Sequence, residues 1–445
     1  MVGMASLGPG RRRRRSAAAA PRMASRPGPR RALPLVAVLV AVLVVGACQA
    51  ETTSEPPPGP STAPPLTVRW EPVSLPDPPP GTARVVVREL TWCAGHWYAV
   101  GADVAADATT SPAAWHSADS SRWRRVPTEA RSHYGRLNIL SSAACRDGRL
   151  AAVGAMSGGA HGNPRTSSWR QRPDGTLVEV EAGFELFGGP AAVNVGRIVA
   201  APGSPADPAA TSPRPPAPTT GTGGGGPTWL IVGNRISGAA VWTSDDAAAF
   251  DIVEARPGLA SDDQGRTWAY DALADGDGWL LAGALTRPGR IDRDPLLWHS
   301  TDGQRWQRTT VDGGPDNEEL QRLVNVDGAP VAAGLHGDWF AAWRDDGDGW
   351  RTVGTFGSTD GSGVPQVRSL TASGAAMVAV TTTGADHRLW FSPDAGRTWR
   401  ELVPPAPLPA GADRVAAVAA GDGHLLLGVD DGVAVTFWTW PIGAG

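Results

Sequence analysis

Lysine is missing from all 445 residues of this chain, so each of its 40 basic residues is an arginine. Such usage points to a GC-rich, actinobacterial kind of genome. Nine of these arginines and no acid fall in residues 1–47; the remainder carries 31 basic against 44 acidic residues, a formal charge of −13. That surplus argues against nucleic-acid binding, which needs a basic surface. Enzyme signatures are missing too: no Gly-x-Ser-x-Gly elbow, His-Glu-x-x-His pair, phosphate-binding loop or clustered Cys/His spacing occurs. The Asp-Gly repeats at Asp275 and Asp346 lack the rest of a calcium loop and read as turns. Neither metal, cofactor nor catalytic residue is expected.

Cysteine is scarce, with three in the chain. Cys48 closes Val45-Gly-Ala-Cys48, after a basic stretch (Arg11 to Arg31) and an apolar run over residues 32–45. A basic region, a short apolar core and small residues describe an export signal over residues 1–47, and the ending is similar to a bacterial lipobox. The similarity implies that Cys48 is lipidated and ties the protein to the outer face of the cell membrane. Translation from Met23 would give a signal of ordinary length, and Arg30-Arg31 also allows twin-arginine export. Residues 48–66, rich in Pro, Ser and Thr, read as a semi-extended tether. Cys93 and Cys145 then form an even pair in an oxidising compartment, either joined as a disulfide or buried as free thiols.

Tryptophan, by contrast, is abundant, with 19 residues, and it recurs in a phrase. Trp115-His-Ser-Ala-Asp119-Ser-Ser-Arg-Trp123, Trp298-His-Ser-Thr-Asp302-Gly-Gln-Arg-Trp306 and Trp390-Phe-Ser-Pro-Asp394-Ala-Gly-Arg-Thr-Trp399 are the clear copies. Looser ones begin at Trp169, Trp242 and Trp343. Ser and Asp oxygens suit a hairpin turn that caps its own amides, with tryptophans burying the hairpin base. Upstream of each copy lies an apolar strand, often ending in glycine, such as Trp97-Tyr-Ala-Val-Gly101 or Trp279-Leu-Leu-Ala-Gly283.

Seven such units over residues 67–445 predict an all-β, seven-bladed propeller of four-stranded antiparallel blades. The last unit stops before its outer strand. Val68-Arg-Trp70-Glu-Pro-Val73 resembles the other outer strands, so the N-terminal strand is expected to close the ring and remove a sheet edge. Ser261 to Trp268 copies the phrase well but stands before an inner strand, which makes it a loop between blades. Residues 202–227 read as a disordered insertion between the first and second strands of blade 3. A monomer is expected.

Loops that lead into inner strands gather at one end of the central channel, where propellers usually bind ligands. Arg88, Arg197, Arg322, Arg368 and Arg414 stand at those strand starts. If they aim at the channel they form a ring for a carboxylate or phosphate, which arginine grips through two N–H groups. If not, each pairs with a local acid such as Glu89. Neighbouring loops add Arg131, His133, Tyr134, His161, Arg287, Arg290, Trp339 and His387.

The phrase Ser392-Pro-Asp-Ala-Gly-Arg-Thr-Trp399 resembles the Asp-box of the bacterial neuraminidase repeat. Seven-bladed exported proteins of the photosystem II assembly-factor type are similar in architecture, which implies a non-catalytic scaffold that binds a protein segment or glycan. Sialidases share the box and imply a Tyr nucleophile, an Asp acid/base and three arginines. Of the three tyrosines, Tyr98, Tyr134 and Tyr270, the last adjoins Asp271 and is the one that suits such chemistry. The Arg-Ile-Pro motif of sialidases is absent.

Overall fold

The third strand of every blade carries a tryptophan, and its burial is what makes the blades stack. A computed structural model describes residues 63–156, 164–203, 226–276, 278–311 and 313–442. Across from a small or aliphatic residue of the second strand stand Trp115, Trp169, Trp242, Trp298, Trp343, Trp390 and Trp438. The first five are fully buried. Each removes ~150–250 Å² from water, worth on the order of 4 kcal/mol at ~25 cal/mol per Å².

Seven sheets result, each of four antiparallel strands running outward from the channel. Their inner strands are Thr82–Cys93 (blade 1), Ile139–Arg146 (2), Ala192–Ala200 (3), Arg266–Asp275 (4), Glu318–Val326 (5), Gln366–Ser373 (6) and Val415–Gly421 (7). Consecutive inner strands touch all the way round, and blade 7 touches blade 1. Closure is as the sequence led us to expect. Glu71–Val73 pairs antiparallel with Val435–Pro441 as the outer strand of blade 7. Just upstream, Leu66 bridges to Leu402 of blade 6, and Trp70 Nε1 donates to the Val403 carbonyl at 3.0 Å. Blade 2 departs from the pattern with a fifth, parallel strand, Thr128–Glu129, against its outer edge.

Each seam between blades has its own tie. Ser142 Oγ accepts from Ile198 N at 3.2 Å, Asn234 Oδ1 from Ala269 N at 2.9 Å and Asp271 Oδ2 from Leu323 N at 3.0 Å. Gln321 Oε1 accepts from Val367 N at 2.7 Å, and Ser369 Oγ from Val418 N at 3.1 Å. Blades 7 and 1 are joined by Arg88 and Asp430 at 2.7 Å, and blades 1 and 2 by a Cys93–Cys145 disulfide with Cα atoms 5.7 Å apart.

The Ser-x-Asp turns lie at the far ends of the blades, between third and fourth strands. In each the Asp carboxylate accepts from amides two or more residues ahead. Asp119 takes Ser121 N at 3.0 Å and Arg122 N at 2.8 Å; Asp302 takes Gln304 N at 2.9 Å and Arg305 N at 2.8 Å. The second tryptophan donates back into the turn, as Trp399 Nε1 does to the Gly396 carbonyl at 2.8 Å. Ser261 to Trp268 turns in a similar self-capped way, Asp262 Oδ1 accepting from Gln264 N at 3.0 Å, but it does not join a third strand to a fourth. It runs into the blade 4 inner strand, which Trp268 has already joined. Cys48 and His161 fall outside the described residues, as do residues 204–225 of the insertion, whose described ends leave and rejoin blade 3 between its first two strands.

Candidate functional site at the channel mouth

Six of the seven inner strands carry a register shift near their start, and this shift builds the site. An extra residue intrudes between Val87 and Glu89, Leu140 and Ser142, Val195 and Ile198, Ala269 and Asp271, Leu320 and Arg322, and Val367 and Ser369. Such bulges twist a strand and re-aim its side chains. Opposite five of them stands the glycine that ends the second-strand pattern: Gly101, Gly154, Gly233, Gly283 and Gly334. A Cβ at Gly283 would collide with the Trp268 carbonyl, and one at Gly334 with the Glu319 carbonyl. The recurring glycine is therefore a consequence of the bulge, which presses a carbonyl against the neighbouring strand.

At or just past the bulges of blades 1, 3, 4 and 5 stand charged residues, Glu89, Arg197, Asp271 and Arg322, while blades 2 and 6 carry Ser142 and Ser369 there. Arg197 of blade 3 pairs with Glu89 of blade 1 at 2.8 Å and with the buried Asp271 of blade 4 at 3.0 Å. Burial alone would lower the Arg197 guanidinium, but the two carboxylates outweigh it and push it further up. Arg322 of blade 5 is placed otherwise. Its Nε and Nη2 donate to the Arg368 carbonyl at 3.2 and 3.0 Å, and Nη1 to the Gln321 carbonyl at 2.7 Å. Among the described residues no carboxylate comes within ion-pair distance of it. Burial first, then the Arg197 charge, brings its guanidinium down to about 10, although Asp271 and Glu89 pull it the other way from a distance.

Arg88 and Arg368 occupy the bulge itself. Arg88 pairs with Asp430 at 2.7 Å and reaches Asp413 at 3.6 Å. Asp430 is nevertheless raised above the usual carboxylate range by burial, which its amide and arginine partners offset only in part. Arg368 donates to Gln366 Oε1 at 2.7 Å and to no acid among the described residues. Burial and the Arg88 charge lower it.

Arg414 does not join them. The blade 7 inner strand starts at Val415 and pairs without a bulge, so nothing turns the preceding residue toward the channel. Arg414 instead ends a tight Gly411–Arg414 turn with its side chain exposed. Its carbonyl faces the buried His387 Nε2 at 3.4 Å. Four of the five arginines thus meet, carried by blades 1, 3, 5 and 6.

The mouth opens into a cavity of about 410 Å³ whose wall includes Arg197, Tyr270, Arg293, Glu319 and Arg322. Arg293 Nη1 donates to Tyr270 Oη at 2.8 Å and lies 2.5 Å from Glu319. Burial, followed by the Glu319 charge, pushes the Tyr270 phenol up, although Arg293 pulls the other way. Glu319, Gln321, Asp430 and Arg293 were not singled out in the sequence. A signal for part of the ring was present: Glu89, Ser142 and Arg322 each stand six residues before the second turn residue, Gly95, Gly148 and Gly328. Arg287 and Arg290, on the adjoining loop, both pair with Asp294 at the start of the third strand of blade 4, while Trp339 is 38% exposed on blade 5. Among the described residues no cluster of three His, Cys, Asp or Glu side chains is arranged for a metal ion.

No protein-family model matches the chain, and no curated protein matches it in sequence. Solved propellers are similar at low identity. The β-propeller domain of the trilobed protease from Pyrococcus furiosus matches with a TM-score of 0.46 and 8% identity, over 82% of this chain and 99% of that one. The acylaminoacyl peptidase of Pyrococcus horikoshii gives 0.43 and 8%, over 81% and 51%. The sialidase of Trypanosoma rangeli, in complex with sialic acid, gives 0.37 and 11%, over 81% and 55%.

Proposed function

We propose that this protein is a non-catalytic binding propeller whose channel mouth takes an acidic group on a protein segment or glycan. The observation that carries the reading is the contrast between Arg197 and Arg322. Both are partly buried arginines in one ring, yet the first is ion-paired to two carboxylates while the second donates to carbonyls, has no carboxylate within ion-pair distance among the described residues, and is brought down to about 10 by burial and the Arg197 charge. A partly buried cation that Asp271 and Glu89 offset only from a distance is costly by itself, and an incoming carboxylate or phosphate would relieve it. Arg368, also without an acid partner, backs it from the next blade. In this proposal the domain is exported, lipidated at Cys48 and held off the membrane by residues 48–66.

The test is capture of acidic peptides and oligosaccharides by the detergent-solubilised full-length protein, against amidated or neutral counterparts. Arg322→Gln combined with Arg368→Gln should abolish the preference for acids, and retained preference would make the ring structural. Palmitate labelling lost in Cys48→Ser tests the anchor.

A glycoside hydrolase of sialidase type is the second reading, favoured by Tyr270 standing beside Glu319 in the cavity. A nucleophilic tyrosine needs its phenol made easier to ionise, and here burial makes it harder. We expect no turnover of a fluorogenic sialoside. Turnover that disappears in Tyr270→Phe would replace the binding reading by the hydrolase one.

A further inference from the structure

A second cavity, of about 900 Å³, lies where the connections into the inner strands of blades 2 and 3 meet. Both connections are unusual. The first, after blade 1, lays Thr128–Glu129 along the outer edge of blade 2 before turning inward through residues 131–138. The second, residues 181–191, contains a single-turn helix, Phe184–Phe187. Buried Glu179 fixes the first loop. Its carboxylate accepts from Arg131 N at 2.7 Å, Ser132 N at 2.8 Å, Ser132 Oγ at 2.6 Å and Ser167 Oγ at 2.8 Å. Four donors saturate its lone pairs, so Glu179 holds the wall in place and has nothing left for a ligand.

Held in this way, Tyr134 is 42% and Phe184 60% exposed. Between them lies Arg165, its guanidinium carbon 5.4 Å from the Tyr134 ring centre and 4.8 Å from that of Phe184. Two rings on one guanidinium restrain its plane at the cost of its hydration. Among the described residues Arg165 has no side-chain hydrogen bond and no ion pair, and its Nε is buried without a partner. Every other arginine lining the two cavities described above has a polar partner for its side chain.

We propose that this cavity is a second binding site, for a saccharide carrying a single carboxylate. The acid would accept from the Arg165 edge, and the exposed face of Phe184 would take the apolar face of a sugar ring. Three features choose this class. The one unpartnered cation shares the cavity lining with the carboxylates Glu179 and Glu181, so the cavity attracts one acidic group rather than a polyanion. A peptide adding as a strand finds the outer edge of blade 2 already occupied by Thr128–Glu129. And 900 Å³ is at the large end for small-ligand sites, with room for more than one sugar ring.

Titration calorimetry of the full-length protein in detergent, with a hexuronate disaccharide and its neutral hexose counterpart, tests the site. The acidic disaccharide should bind at least tenfold tighter than the neutral one. Arg165→Gln and Phe184→Ala should each weaken it tenfold or more, with unchanged melting temperature. Arg322→Gln should leave it unchanged, since that residue belongs to the channel mouth. The proposal is overturned if neither sugar binds, if the neutral sugar binds equally well, or if affinity follows Arg322 rather than Arg165. A Phe184-dependent affinity for acidic peptides in place of the sugar would overturn the ligand class.

Discussion

The Arg197 guanidinium lies 2.8 Å from the Glu89 carboxylate although their blades, 3 and 1, are not neighbours. The contact passes over blade 2, whose ring residue at the corresponding place is the short Ser142. With Asp271 on the other side, Arg197 is a clamp across the channel rather than a free ligand group.

Arg197→Met should therefore cost about 3–5 kcal/mol of stability, because it strands Glu89 and Asp271 in a buried place without their cation. Arg322→Met strands no ion-paired carboxylate, only the Arg368 and Gln321 carbonyls, and should cost about 1–2 kcal/mol. Urea denaturation of the two variants checks the contrast. Equal losses would mean that the two arginines share one structural role.

Gly283→Ala should destabilise by at least about 3 kcal/mol, since the new methyl runs into the Trp268 carbonyl and comes within 2.9 Å of the Trp298 ring. Gly289, in the same blade, meets nothing within 4 Å but has φ +78°. Its alanine variant should lose only about 1 kcal/mol, the cost of left-handed backbone. Thermal melts of both variants separate close approach from backbone strain.

Deletion of residues 63–73 should lower the melting temperature and produce concentration-dependent self-association in size-exclusion chromatography. The deleted strand is the partner of Phe437 to Thr439, and without it blade 7 ends in an open edge. A monomeric variant of unchanged stability would show that the closure is dispensable.

His387 offers a pH test. Burial first, and then the Arg368 charge, hold its imidazole down to about 4, against an unfolded value near 6.5. Between those two values the unfolded chain binds the extra proton, so stability is full above about pH 6.5 and falls as pH drops toward 4. The slope reaches about 1.4 kcal/mol per pH unit at most. His336 works in the opposite sense, because Glu318 raises it. The measurement is thus the difference between wild type and His387→Gln in denaturant melts from pH 7 to 4, and the variant should show the flatter profile.

The sequence by itself determined the number of blades, their strand order and the closing strand. These rest on local chemistry: Ser-x-Asp caps its own turn, tryptophan needs a buried partner, and alternation sets the faces. That Ser261 to Trp268 stands before an inner strand could be read from its place in the repeat for the same reason, although that strand begins at Arg266 and only Ser261 to Gly265 are loop. What only the tertiary structure decided is which arginines matter and how. Arg88 and Arg368 on the bulges, Arg197 and Arg322 just after them, and Arg414 before an unbulged strand look alike along the chain, and a one-residue shift sends a side chain to a different place. Nor could the chain reveal that Arg197 is ion-paired to Glu89 while Arg322 has carbonyl partners, or that Arg165 lies between Tyr134 and Phe184. Those pairings join residues from different blades and loops, and they arise when the ring closes.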